Sequence, residues 1–231
     1  MGDARVSDTT RPAFYALQPG GWRDYVTLLH PPYTLWHLSY VALGAALAPQ
    51  MRWGLLGWTV LAFLLAMGVG AHALDELNGR PLGTRIPGVA LVVFATVSIA
   101  AASAIGIVVA ARSTLWLLAF VAFGAFVVVA YNLELFGGAF HSDIWFALAW
   151  GAFPVLTAYF ASAERLRIEA VVAAAFATAV SVAQRTLSTQ VRHARRRLGD
   201  PAAARPAERA LELLAAALPL LAGALLLSRL D

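Results

Sequence analysis

Apolar runs of roughly twenty residues alternate with short polar connections from about residue 34 to residue 228. A helix needs about twenty apolar residues to cross the hydrocarbon core. Read on that scale, the runs predict seven spans, at about 34–49, 53–74, 88–111, 114–133, 144–163, 167–187 and 209–228. Gln184 and Arg185 lie near the end of the sixth, which makes it the weakest candidate for a full crossing. Residues 1–28 form a polar N-terminal segment with acids and arginines interleaved, and they lack the apolar core of a cleavable signal peptide. Trp22–Leu29 reads as an amphipathic piece lying at the interface, stopped by His30-Pro31-Pro32-Tyr33. The rest, 29–231, is expected to be a single helical domain with a basic connection at about 188–208. Period-two alternation of the barrel type is absent. The fold class is therefore all-α, a polytopic transmembrane bundle of about seven spans.

Composition narrows this further. The chain has 231 residues, 60% hydrophobic and 13% charged, with a mean hydropathy of +0.71. A soluble domain of this size has no place to hide so much apolar surface. Without cysteine there are no disulfides and no thiolate metal sites. All 17 basic residues are arginine, so Schiff-base chemistry is excluded with lysine. The expected partner is membrane lipid and not nucleic acid, because arginine clusters in a membrane chain mark the cytoplasmic face or a headgroup site. With seven spans, the side shared by the N-terminus and the 2–3, 4–5 and 6–7 connections carries twelve arginines, against five opposite. The positive-inside bias thus places that side in the cytoplasm, at the inner membrane.

The densest chemistry is His72-Ala-Leu-Asp75-Glu76-Leu-Asn78-Gly-Arg80-Pro-Leu-Gly-Thr-Arg85, at the mouth of two spans. Ionisable groups in such a place are costly to keep without a use. His72, Asp75 and Glu76 are spaced three and four apart, which puts them on one face if the helix continues. They form a candidate metal set: the carboxylates suit Mg²⁺, and the histidine shifts preference toward Mn²⁺, Zn²⁺ or Fe. Arg80 and Arg85 are candidate clamps for phosphate oxygens, with Asn78 beside them. The alternative is a solvated loop in which the acids pair with the arginines.

Two further stretches share the same expected face. Tyr131-Asn132-Leu-Glu134 through His141-Ser142-Asp143 offers Glu134, His141 and Asp143 as a second ligand set or an acid/base pair, with Tyr131 and Asn132 alongside. Ser142 or Asp143 also reads as an N-terminal cap for the fifth span, and for Asp143 alone the cap is the preferred reading. Arg185, Arg192 and Arg195–Arg197 form a basic group, of which Arg185, nearest the membrane, is the best substrate ligand. His30, His37 and His193 have no partner visible in the sequence.

The layout resembles the UbiA superfamily of membrane prenyltransferases over about residues 28–190. The resemblance rests on Leu29-His30-Pro31-Pro32-Tyr33-Thr34-Leu35 leading into a Gly/Ala-rich first span, on Arg80-Pro81-Leu82-Gly83 after the second, on Tyr131, and on Gly151-Ala-Phe-Pro154. It implies helices around a central cavity and an enzyme that acts on a prenyl diphosphate with Mg²⁺. The departures are specific. Where the family has Asn-Asp-x-x-Asp-x-x-x-Asp, this chain has Ala71, His72, Asp75 and Gly79. No acidic residue stands between Ala170 and Gly199, where the second Asp-rich motif belongs, and seven spans replace the usual nine.

Three functions compete. The first is a shortened UbiA-like enzyme for a prenyl diphosphate or other isoprenoid. Asp75, Glu76 and His72 would be on metal and Arg80, Arg85 and Arg185 on diphosphate, with Trp58, Phe120, Phe126, Trp150 and Phe153 around the chain. The second is a Zn²⁺ or Fe lipid hydrolase or oxidase. The third is a non-catalytic scaffold that binds a lipid or partner, whose ionisable residues would pair among themselves and leave no open cavity.

Overall fold

The computed structural model describes residues 13–230; residues 1–12 of the expected N-terminal segment, Asp231 and the side chain of Arg196 lie outside the described residues. The helices are α1 (Trp22–Leu28), α2 (Pro31–Leu47), α3 (Trp53–Leu77), α4 (Gly88–Arg112), α5 (Leu117–Asn132), α6 (Asp143–Ala163), α7 (Ile168–Arg192) and α8 (Pro201–Leu227). No strand occurs among the described residues. Five helices, all but α1, α2 and α5, are long and apolar enough to cross a membrane, α7 included. The sixth expected span, thought the least secure, is thus among the longest. The first and fourth are the short ones, at 17 and 16 residues.

α2 is short because its neighbours replace the lipid. Pro31 opens it at a position where a missing N–H costs nothing, and Ala48-Pro49 ends it. Trp36, Tyr40 and Val41 are wholly buried, and α2 packs chiefly against α6 and α8. Glycine lets the backbones meet. A Cβ on Gly44 would run into the Val155 carbonyl, and one on Gly151 would lie 2.7 Å from the Ala177 carbonyl. Packing, not water exclusion, drives helix association in lipid, so small residues at such crossings are the expected device. α4 is the opposite case: Val89, Val92, Val93, Val97, Ile107 and Val108 stand exposed along it, facing lipid.

The expected basic connection at 188–208 is almost entirely helical. α7 runs to Arg192 and continues as a π-wound stretch, His193–Leu198. The chain then reverses at Gly199 (φ 62°), and Asp200 caps α8 by accepting from the N–H groups of Ala202 and Ala203. Alanine-rich sequence favours helix here. The basic run also has an internal partner: Arg195 Nε and Nη2 donate to both oxygens of Glu208, at 2.6 and 3.0 Å, with less than a tenth of either side chain exposed.

Residues 13–30 and the connections 78–87, 133–142 and 199–200 thus lie at one end of the bundle. At the other end Arg52 pairs with Glu164 at 3.2 Å. There Arg229 also donates to the Ala46 and Ala48 carbonyls that finish α2.

Gly44→Ala is expected to push α2 from α6 and destabilise the protein by about 1–3 kcal/mol. Thermal unfolding in detergent checks this, with Gly57→Ala, where a Cβ meets open space, as the neutral control.

Candidate functional site

A cavity of about 350 Å³ opens at the end of the bundle where the polar connections gather. Its wall takes His30 and His37 from the start of α2 and its approach, His72 and Asp75 from the end of α3, Tyr131 and Asn132 from α5, His141 from the following turn, and Gln184, Arg185 and Arg192 from α7. Four of the chain's five histidines are here.

His30 is placed by a backbone that its own sequence disfavours. It adopts φ 45°, ψ 56° directly before Pro31. Left-handed geometry is costly for a residue with a Cβ, and proline crowds the helical region of the residue before it. Strain of this kind concentrates where a side chain must be aimed. The His30 ring lies on His72, centroids 4.0 Å apart and planes within 10°. Its Nδ1 meets the Tyr15 hydroxyl at 2.9 Å. Burial, reinforced by His72 and His37, holds the His30 pKa well below the usual imidazole value, so the ring is neutral near pH 7.

The other three histidines share one arrangement. His37 Nδ1 lies 2.9 Å from the Trp150 carbonyl, His72 Nδ1 3.1 Å from that of Gly68, and His141 Nδ1 3.0 Å from that of Tyr131. Carbonyls only accept, so each Nδ1 carries the hydrogen. Two of these carbonyls belong to π-wound stretches, Leu64–Ala71 and Leu148–Ala152, and such bulges cluster at functional sites. Among the described residues, the buried side-chain polar atoms without a hydrogen-bond partner are His30 Nε2, the Tyr131 hydroxyl and Gln184 Oε1. All three residues line this cavity. In a region where unsatisfied polar atoms are costly, that coincidence marks a place for a ligand.

The expected site residues separate into two groups. His72, Asp75, Tyr131, Asn132, His141 and Arg185 do meet in the cavity. Glu76, Asn78, Arg80, Arg85, Glu134 and Asp143 do not line it. Glu76 is fully buried and holds the loop after α3: its oxygens accept from Leu82 N (2.9 Å), Thr84 N (2.8 Å) and Thr84 Oγ1 (2.8 Å). One residue past Asp75, it is turned about 100° around the helix, away from the cavity. Arg80 donates to the Ile86 and Thr84 carbonyls in the same loop. Arg85 is exposed, and its N–H is held by the buried Asp24. Asn78 donates to the Asn132 carbonyl. Glu134 stands exposed in a left-handed turn (φ 50°). Asp143 opens α6 but is not its cap, which is Ser142; it pairs with Arg185 at 2.9 Å. Arg185 also stacks over Phe146, 5.1 Å from its centroid.

The candidate metal set is therefore divided: His72 and Asp75 line the cavity and Glu76 does not. Among the described residues no three His, Asp or Glu side chains gather as metal ligands. Glu76 is committed to its loop, and among the described residues Asp75 is the carboxylate on the cavity wall.

Beside the polar cavity lies an apolar pocket between α3, α4, α5 and α6, walled by Trp58, Ala102, Gly106, Phe120, Gly124 and Phe153 among others. Trp150 lines both spaces. Of the expected aromatic walls, Phe126 is not part of it and packs on Phe136 and Phe140 instead.

His30, His37 and Gln184 went unassigned in the sequence, although two signals pointed to them. His30 and His37 are seven apart, two turns along one helical face. Gln184, Ser188 and Arg192 recur every fourth residue along one face of α7.

Glu76→Ala is expected to leave three donors without an acceptor and to cost about 3 kcal/mol. Faster proteolysis within residues 78–86 would report it, whereas an intact, equally stable loop would count against the assignment. No known family model matches the chain, and no curated protein or solved structure matches it either.

Proposed function

We propose that the protein is a UbiA-like membrane enzyme that acts on a prenyl diphosphate or a related isoprenoid phosphate. One observation carries the reading: a polar cavity with two arginines and an apolar pocket share Trp150 as a common wall. That is the shape of a ligand with an anionic head and an apolar chain. Arg185 and Arg192 are the residues to hold the head, since guanidinium groups match phosphate oxygens in geometry and charge. The chain would run past Trp150 toward Gly124 and Phe153.

At the junction, the bond between the chain's first carbon and the head lies against Trp150, Tyr131 and Phe146, whose rings touch one another. Aromatic faces steady positive charge that develops on an allylic carbon. The same walls keep water from that carbon. The reading takes the seven helices α2 to α8, the shorter α2 and α5 included, as crossing the membrane around the cavity, with the cavity end toward the cytoplasm. An open cavity also speaks for a ligand-binding chain over a scaffold whose charges only pair with one another.

Two variants test the two halves of the ligand separately. Arg185→Ala is expected to weaken both farnesyl diphosphate and inorganic diphosphate by about tenfold or more, the equivalent of roughly 1.4 kcal/mol. Gly124→Leu should fill the apolar pocket, because a Cβ there already lies 3.2 Å from the Phe153 ring. It is expected to weaken farnesyl diphosphate and leave inorganic diphosphate unchanged. Calorimetric titration in detergent reads both, and farnesyl diphosphate binding indifferent to both substitutions would overturn the reading.

A further inference from the structure

The cavity has an unusual balance of charge-bearing groups for a diphosphate site: four histidines, two arginines and one carboxylate. A site that bridges diphosphate through magnesium needs carboxylates to hold the metal, and among the described residues this wall offers Asp75 alone. Glu76, the nearest other acid in sequence, has both oxygens occupied by the loop after α3. The positive charge that a diphosphate requires must come from elsewhere.

The histidines are arranged to provide it. For His37 and His72 the Nδ1 hydrogen is fixed on a backbone carbonyl, so any proton gained goes to Nε2 and makes a second donor. The His30 Nε2 is buried with no hydrogen-bond partner among the described residues, and its ring lies face to face on His72 at 4.0 Å. Two imidazolium rings at that distance repel strongly unless an anion sits beside them. The empty site therefore disfavours charge on both rings of this stacked pair, and a bound polyanion reverses the preference. The charged and titratable groups facing the pair are His37 on α2, Asp75 on α3, Tyr131 and His141, Arg185 and Arg192 on α7, and Tyr15 and Tyr33 at the mouth.

We infer that the diphosphate head is neutralised by histidines that become protonated as it binds, together with Arg185 and Arg192, and not through carboxylate-held metal ions. This rests on the reading of the site as one for a prenyl diphosphate, and it specifies how that head is held. Binding then takes up protons from solvent. Affinity rises as pH falls through the titration of the occupied histidines and levels off once the empty site is protonated too, by up to about tenfold per pH unit for each proton taken up.

The probe is farnesyl diphosphate, titrated calorimetrically into wild-type protein in excess EDTA at pH 7.5, in buffers of different ionisation enthalpy. The expected result is binding without divalent metal and net uptake of about one proton or more per head. The diphosphate cannot supply that signal, since neutralising its charge makes it release protons. The double variant His30→Gln/His72→Gln should lose most of the uptake while keeping pocket binding of the chain. Because uptake is measured on the wild type, a variant that misfolds does not spoil the test. Binding that vanishes in EDTA and returns with Mg²⁺ would overturn the inference and leave the prenyl diphosphate reading standing. Metal-independent binding without proton uptake would also overturn it, assigning neutralisation to the arginines alone. Absence of binding in either condition would sink both.

Discussion

A polar interior inside lipid is tolerable only if the protein satisfies it, because the hydrocarbon offers no partner for an exposed N–H or C=O. Here that constraint falls on α2. It carries His37, Ser39 and Tyr40 through the middle of the bundle, all largely shielded. What permits it is backbone contact at Gly44 and Gly151, which brings α2, α6 and α7 close enough for side chains to reach one another's main chain. His37 can find the Trp150 carbonyl only at that spacing. Ser181 on α7 reaches the Tyr40 hydroxyl in the same layer, and Trp36 Nε1 donates to it from one turn away. Remove the close crossing and the histidine wall has nothing to orient it.

The helices themselves were legible, because long apolar runs are set by the thickness of the hydrocarbon core and survive any arrangement of neighbours. Their lengths were less so. α2 and α5 fall short since much of their surface, or their ends, is met by protein, which the run of apolar letters cannot register. The 188–208 segment misleads for a related reason: arginine and proline read as a connection, whereas the Arg195–Glu208 pair and the Asp200 cap turn the same letters into two helix ends.

The site shows the same division. The gathering of His72, Asp75, Tyr131, His141 and Arg185 follows from topology, which brings alternate connections to one end. Which acid faces the cavity does not follow. Asp75 and Glu76 are adjacent and chemically alike, and only the helical rotation between them, with the donors of Leu82 and Thr84 waiting on one side, separates a wall residue from a loop anchor. His30 was hidden more deeply, since its ring reaches His72 through a left-handed backbone that no local preference favours before proline.

The capping of α2 by Arg229 carries a consequence for how the protein is made. α2 enters the membrane early in synthesis, yet the carbonyls of Ala46 and Ala48 wait for a donor more than 180 residues later in the chain. The partner of His37 lies 113 residues on. Until α6 and α8 arrive, α2 is a helix that carries an imidazole without the carbonyl that later accepts from it, and insertion of the late helices becomes the step that commits the early one.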